Sequence, residues 1–526
     1  MEYRIFGPPG TGKTTFLKRQ VEKELNNGTS GDTIFIASLT RTAAREIASR
    51  IKGLMPEDNV GTLHSLAYQA LGRPPLLETA NAIADWNQCY PVYALSGAKA
   101  TIDESFEEYQ KETTGDKLFS AYNILRARQT PRHFWPQSVT QFAERWEEWK
   151  TANGGIDFTD MLELALRESA KPKKAQVLII DEAQDLSRLS ISLVRSWAGH
   201  TSRLFLAGDD DQCLYSWAGS SYDIMLQPPL PEEQKKVLRQ SYRVPRAVHR
   251  LAKSVTDRIQ HREPKEYYPR EEEGEVLKIN VQWRYPEALL EIIERHLSNG
   301  ETVAILAFCS MFLEPTIAVL RKYGLPFHNP WRRTRGDWNP LFGHGAMALR
   351  NYLLIREDCT DHARPWTYSE LYYWAQDLSA KLLPRGAKTE IERLAKLKPH
   401  EEVSIDLLLK VFRDDFPAVF SGDEDWLMQS LLATRKNGYE YPVKVFKKRG
   451  FRALEQTPLL VVGTIHSVKG GEADNVILYP DLSPSFYVDF NTQERRDDIL
   501  RIYYVGITRA RKRLYLCAPG GKLYCS

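Results

Sequence analysis

The sequence predicts an α/β protein: two blocks built on parallel sheets, each interrupted by a mostly helical insertion. Short β-branched runs alternate with helical stretches, the pattern of strands joined by helical crossovers. A glycine-rich loop lies between the first strand and the first helix. Two strand-poor stretches, residues 66–153 and 338–451, separate the strand-rich zones. The clearest strands are 3–6, 33–37, 177–180, 203–207, 303–308, 459–462, 476–479 and 514–517.

A chain of 526 residues is long enough for two to four domains at roughly 150 residues each. Its 42% hydrophobic and 26% charged residues exclude a disordered or collagen-like chain. No run reaches the ~20 apolar residues that a membrane span needs. Residues 1–6 run straight into the glycine loop, leaving no room for a signal peptide. The net charge of +3 is too balanced to announce a polyanionic partner. Six cysteines, with no C-x-x-C and no histidine at metal spacing, read as free thiols in a reducing compartment rather than as a zinc or iron–sulfur site. No internal repeat is visible. The expected linkers are 228–231, for its prolines, and 271–274, for its run of glutamates.

Gly7-Pro8-Pro9-Gly10-Thr11-Gly12-Lys13-Thr14 matches G-x-x-x-x-G-K-[ST] in full, and Thr15 follows. The predicted strand before it and the amphipathic helix after it (Phe16, Leu17, Val21) are the context this loop requires. The glycines let backbone N–H groups turn inward on phosphates, and the helix N-terminus adds its dipole. Lys13 neutralises the β/γ oxygens in this reading, and Thr14 offers its hydroxyl oxygen to Mg²⁺. The second metal ligand is expected at the tip of a neighbouring strand. The apolar run 177–180 ends in Asp181-Glu182-Ala183-Gln184-Asp185. Asp181 is the candidate metal ligand, and Glu182 the candidate base for water attack on a γ-phosphate.

Further motifs follow in order: Gly208-Asp209-Asp210-Asp211-Gln212-Cys213-Leu214-Tyr215-Ser216-Trp217, Gln240-Ser241-Tyr242-Arg243, Gly463 to Glu472 with His466 and Lys469, and Tyr504 to Ala510 with Arg509. Together they resemble superfamily 1 helicases of the UvrD/Rep/PcrA type. The stretches 38–44 and 61–65 look like that family's early DNA-contacting motifs, and 156–162 like the segment that returns the chain from the first insertion.

The resemblance implies two RecA-like P-loop NTPase domains, parallel sheets flanked by helices, each carrying an inserted helical subdomain. The first motor domain would be 1–66 with 154–240, its insertion 67–153; the second would be 241–337 with 453–526, its insertion 338–452. It implies ATP and Mg²⁺ as cofactors, with Gly7, Gly10, Thr11, Gly12, Lys13, Thr14 and Thr15 around the phosphates. Tyr242 would stack on the base, Glu472 would bind the ribose and Lys469 would approach the phosphates. Arg243 and Arg509 would come from the second α/β block and reach the γ-phosphate. Gln212 would couple phosphate to DNA. Arginines that meet transition-state charge in this way are worth ~10³–10⁵ in rate.

For single-stranded DNA, Trp217 and Tyr215 fit aromatic platforms, worth ~1–3 kcal/mol per stacked base. Thr40, Arg41, Thr62, His64 and His466 are candidate backbone contacts; His64 and His466 serve equally well as structural hydrogen-bonders. Two basic-aromatic stretches, 331–338 and 439–452, suit either nucleic acid or a solvated face. Trp146 and Trp149 are expected to be packing residues.

Three departures from the family pattern stand out. Only six residues precede Gly7, so an upstream adenine-reading glutamine is missing or replaced. Ala218 stands where an arginine often follows the motif tryptophan. The chain is also shorter than typical members, the second insertion being the trimmed part.

The resulting expectation is a monomeric, cytoplasmic, nucleoid-associated bacterial or phage enzyme with no membrane partner. It would act on single-stranded DNA and single/double-strand junctions, moving 3′→5′ and unwinding duplex by ATP hydrolysis. The alternatives are a translocase that strips proteins without separating strands, and a nucleotide-gated DNA-binding switch. No nuclease motif accompanies it.

Overall fold

The computed structural model describes residues 1–39, 41–96, 113–216, 219–332, 336–356 and 363–525, less the side chains of 41, 42, 46, 332, 336, 337, 493 and 494. The chain divides into two compact units. One is Met1–Lys278 with Pro480–Leu516 and Gly521–Ser526; the other is Ile279–Tyr479 with Cys517–Gly520. The stretch 228–231 runs within the first unit, and the chain leaves that unit four residues after 271–274.

The first unit is built on a six-stranded parallel sheet. Its strands are β1 (Glu2–Phe6), β2 (Ile34–Ser38), β3 (Val60–Thr62), β4 (Val177–Ile180), β5 (Arg203–Gly208) and β6 (Lys235–Val237). They lie in the order β3-β2-β4-β5-β1-β6. β2 and β4 are buried along their whole length, as strands covered by helices on both faces must be. One core layer gathers Phe6, Leu178, Leu206 and Trp197. The other gathers Ile5, Leu17, Ile36 and Phe205. β3 and β6 lack a sequence signal because each is three residues long, at a sheet edge, and only partly buried.

The stretch between β3 and β4 is helical where described, with helices at Ala80–Cys89, Thr114–Ala127 and Gln137–Ala152. Trp86, Trp146 and Trp149 pack together with Phe142 and Tyr122, so Trp146 and Trp149 are indeed core.

A buried ionic knot ties this aromatic core to the returning helix Phe158–Arg167. Asp157 caps that helix through a reciprocal pair with Asp160, each side chain satisfying one of the helix's orphan N–H groups. The Asp157 carboxylate also accepts at both oxygens from Arg126 Nη1, at 3.0 and 2.9 Å, and from Lys150 Nζ at 2.6 Å and Trp146 Nε1 at 3.0 Å. Burial pushes its pKa up, but Arg126 and Lys150 more than offset this and hold it down at about 2.

Two further strands mark the unit boundaries: β7 (Glu275–Ile279) and, at the chain's end, β13 (Ala510–Cys517). In the second unit β8 (Val303–Ala307) lies between β11 (Leu460–Thr464) and β12 (Ala473–Leu478), all parallel. The hairpin β9 (Asn329–Arg332) and β10 (Gly336–Trp338) precedes a long helical segment. That segment has its own aromatic centre at Tyr352, Trp366, Trp374 and Phe412. No helix among the described residues is long and apolar enough to cross a membrane.

Asp157→Asn removes the fully buried carboxylate shared by Arg126 and Lys150, which keep only Asp160 and Glu163 as counter-charges, an expected loss of about 3 kcal/mol near neutral pH. The pKa of Asp157 is depressed from 3.8 to about 2 on folding. Its contribution is therefore complete above pH 4 and drains away as pH falls through 2. Urea midpoints of wild type and Asp157→Asn should converge between pH 5 and pH 2; a constant gap would contradict the assignment.

Candidate active site

The glycine loop starts locked to the sheet, because Gly7 N–H donates to Gly208 O at the end of β5 at 2.8 Å. Gly10 and Gly12 hold φ of +73° and +76°, conformations that only glycine adopts without cost. Gly12 then caps the helix Lys13–Asn26. Residues 241–243 grip the loop from outside. Ser241 Oγ donates to Pro9 O at 2.8 Å and Tyr242 N–H to Gly10 O at 2.9 Å. A Cβ at Gly10 would lie 2.4 Å from the Cβ of Arg243.

Thr11 Oγ1 donates to Pro8 O, which stiffens the loop. Thr14 is half-buried in the first helical turn, and Thr15 is exposed beside Arg50. Lys13 folds back over the loop. Its Nζ donates to Gly7 O at 3.0 Å and stands 3.8 Å from Glu182 Oε1.

Asp181 and Glu182 emerge from the C-terminal end of β4. β5 lies between β4 and β1, so the acidic strand is one removed from the loop strand, not adjacent as expected. Asp181 is buried, its N–H bound to Ala37 O and its Oδ1 accepting Glu182 N–H at 3.0 Å. The hydroxyl of Thr14 and this carboxylate are the hard oxygen donors that suit Mg²⁺, which keeps waters and phosphate oxygens for its remaining positions. Glu182 holds φ of +53°. For a non-glycine residue this left-handed conformation costs of order 1–3 kcal/mol and persists only where the surroundings enforce it.

One enforcing contact is Gln184. Its side chain is fully buried, donates from Nε2 to Glu182 Oε2 at 2.5 Å and accepts Asp209 N–H at 3.1 Å.

Past β5 three consecutive carboxylates are buried, and cations close over them. Lys265 Nζ lies 3.1, 2.5 and 2.8 Å from Asp209, Asp210 and Asp211 and is itself only 1% exposed. Arg262 makes a two-pronged contact with Asp211 at 2.9 and 2.6 Å. Arg501 Nε donates to Asp210 O at 3.0 Å. Burial raises the pKa of Asp210 to about 6, whereas Lys265 and Arg262 outweigh burial at Asp211 and hold it below the usual range. The turn so anchored presents Gln212, whose Nε2 donates to Asp209 Oδ2 at 2.7 Å and whose Oε1 accepts Arg509 Nη2 at 3.1 Å.

Arg243 and Arg509, expected from the second α/β block, both belong to the compact unit that holds the glycine loop. Tyr242 is 73% exposed, with its ring open to a flat partner. Tyr215, expected as a stacking platform, is only 3% exposed; a ring packed in the core offers no stacking face. Thr62 caps the helix Leu63–Ala70 by accepting Ser65 N–H at 3.1 Å. His64 lines a groove of about 380 Å³ with Arg45, Thr62, Tyr68, Phe158 and Met161. Thr40, Trp217, Ala218 and the side chain of Arg41 lie outside the described residues.

In the second unit the turn after β11 carries buried His466 and half-buried Lys469 and Glu472. Asn329 Nδ2 donates to Ser467 Oγ at 2.9 Å, and the indole of Trp331 occupies the space a Cβ at Gly471 would take. In the stretch 439–452, Lys447 is paired with Asp425, Arg449 with Glu294, and Phe451 is buried; side chains 332–337 of the other stretch are outside the described set.

Residues 2–229 match the family model for the UvrD/REP helicase N-terminal domain, and residues 449–519 match that for the UvrD-like helicase C-terminal domain. The chain belongs to the UvrD-like superfamily 1 helicases. Among its relatives, a probable DNA helicase II homolog of Mycoplasma pneumoniae is 22% identical over 97% of this chain and 81% of its own length. A putative ATP-dependent DNA helicase, YjcD of Bacillus subtilis, is 22% identical over 98% of the chain and 77% of its own length. The ATP-dependent DNA helicase PcrA of Staphylococcus epidermidis is 23% identical over 55% of the chain, a match covering 41% of that relative.

Gln184, Lys265, Arg262 and Arg501 were not singled out by the sequence. Gln184 sits inside the acidic motif, where its neighbours drew the attention. The three cations are 50 or more residues from the aspartates they serve, and nothing local marks them. Lys265→Met removes the cation common to three buried carboxylates and should cost about 3–5 kcal/mol in urea unfolding. A loss under about 1 kcal/mol would mean that Arg262 alone neutralises the cluster.

Proposed function

We propose that this protein is an ATP-driven motor that moves 3′→5′ along single-stranded DNA and unwinds duplex ahead of it. The observation that carries this reading is the gathering, in one compact unit, of the P-loop lysine, the two β4-tip acids and an arginine held on Gln212. A site that merely bound nucleotide would have no use for a base and an arginine together.

In the proposed reaction, water attacks the γ-phosphorus and the bond to the β–γ bridging oxygen breaks, releasing ADP and phosphate. Glu182 orients the water and takes its proton. Lys13, Arg243 and Arg509 stabilise charge on the phosphoryl oxygens as it develops. Thr14 and Asp181 would hold Mg²⁺, which neutralises phosphate charge when bound. Tyr242 stacks on the base, Glu472 and Lys469 serve the ribose and phosphates, and Gln212 reports phosphate occupancy to the turn that leads to Trp217. Thr40, Arg41, Thr62, His64 and His466 contact the DNA backbone. The division into two motor domains with helical insertions, and action as a monomer, are part of the same proposal.

Unwinding of 3′-tailed and 5′-tailed duplexes in ATP or GTP is the direct test. The 3′-tailed substrate should open in ATP and the 5′-tailed one should not. Glu182→Gln should lower DNA-stimulated turnover by ~10²–10⁴ and abolish opening. Removal of streptavidin from a single strand without any duplex opening would instead identify a translocase that does not separate strands. Turnover that persists in Glu182→Gln would remove this residue from the chemistry.

A further inference from the structure

We infer that Gln184 is the positioning residue for the hydrolytic base, tying the orientation of Glu182 to the tip of β5. This rests on the reading of the site as an ATP-hydrolysing one. The geometry allows Gln184 one orientation. Its Oε1 receives the backbone N–H of Asp209 at 3.1 Å, and a backbone N–H can only donate. The amide is therefore oriented with Nε2 toward Glu182, to which it donates at 2.5 Å. An amide side chain is the group that accepts at one end and donates at the other, so its isosteric carboxylate cannot replace it.

The space around the amide is equally specific. A Cβ at Gly208 would fall 2.2 Å from Gln184 Oε1 and 3.2 Å from its backbone nitrogen. Gly208 has an ordinary extended backbone, so it is glycine here for clearance and not for conformation. Two strand tips thus meet through one buried side chain: β4 delivers Glu182, β5 delivers Asp209, and Gln184 bonds to both. Asp209 in turn receives Gln212 Nε2 at 2.7 Å, and Gln212 receives Arg509 at 3.1 Å. A movement of the β5 turn, where Gln212 and its arginine sit, therefore pulls on the amide that orients the base. Glu182 has a left-handed backbone, which persists only where the surroundings enforce it, and the Gln184 bond acts on its carboxylate beside the Lys13 contact and the Asp181 bond to its own N–H.

The test compares Gln184→Leu, Gln184→Glu and Gly208→Ala with wild type and Glu182→Gln. Each is assayed for ATP turnover with and without single-stranded DNA, for binding of a fluorescent ATP analogue, and for thermal unfolding. Gln184→Leu should lower kcat by about 10- to 100-fold, the usual effect of a misplaced catalytic group. KM and analogue affinity should stay within about twofold, because the phosphate loop is untouched. Gln184→Glu keeps the acceptor for Asp209 N–H but loses the donor to Glu182, so it should be as slow as Gln184→Leu. A purely structural anchor would instead leave Gln184→Glu near the wild-type rate, and that result overturns the proposal. Gly208→Ala should reproduce the slow turnover, and the double variant Gly208→Ala/Gln184→Leu should be no slower than either single change. Wild-type rate in Gln184→Leu while Glu182→Gln is inactive refutes the positioning role alone. Absence of ATP turnover in the wild type refutes the hydrolytic reading and this role together.

Discussion

Three aspartates in a row, buried at the end of a parallel strand, set the terms for the rest of the first unit. The cost of removing one carboxylate from water is several kcal/mol even after relaxation, and here Asp209, Asp210 and Asp211 are all buried. Such a turn is stable only if cations are brought to it, and none lies nearby in the sequence. Lys265 and Arg262 arrive after the helix Arg246–Thr256, and Arg501 arrives from the helix Gln493–Ile507. Bringing in Arg501 also brings in the end of its own helix, and with it Arg509 against Gln212. Arg501 bonds the backbone carbonyl of Asp210 and pairs with Asp498, so it anchors the turn to this helix, whereas Lys265 and Arg262 neutralise the carboxylates.

The glycine loop depends on its neighbours in a similar way. Left-handed glycines at 10 and 12 turn the chain, but the loop is held in place by Ser241 and Tyr242 on one side and by Gly208 on the other. Lys13 then has two competing oxygen partners within reach, Gly7 O and Glu182. Both are weaker acceptors than a triphosphate, so the lysine is positioned without being consumed. Local strain at Glu182 and satisfied hydrogen bonds around it are the combination expected of a preorganised site.

Much of this was legible in the residues. The buried strands β1, β2, β4, β5, β8, β11 and β12 overlap the predicted β-branched runs, because strands buried on both faces must be continuously apolar, whereas β13 was foreseen only in its second half and the largely exposed β7 not at all. Lys13, Asp181 and Glu182 are named by the spacing of their motifs, and they stand where that spacing puts them, Lys13 at the start of the helix after the glycine loop and the two acids at the tip of β4. The short edge strands at 60–62 and 235–237 were invisible, being too brief and too exposed to carry a period. Tyr215 shows the opposite failure. An aromatic in a suggestive motif has the same letter whether its ring faces solvent or core, and here it faces the core.

The division of labour between sequence and tertiary structure follows from the range of the forces involved. Glycine conformation, strand burial and helix capping act over a few residues, so the sequence by itself determined the P-loop, the acidic strand tip, the parallel α/β layers and the family. Charge neutralisation and side-chain relays act between residues that the fold brings together at any separation, from 2 and 25 positions at Gln184 to 297 between Arg509 and Gln212. Only the tertiary structure decided that Lys265 closes over three aspartates, that Arg243 and Arg509 share a compact unit with Lys13, and that Gln184 spans two strand tips. A buried charge must find its partner wherever the fold can supply one, and that choice leaves no local trace in the chain.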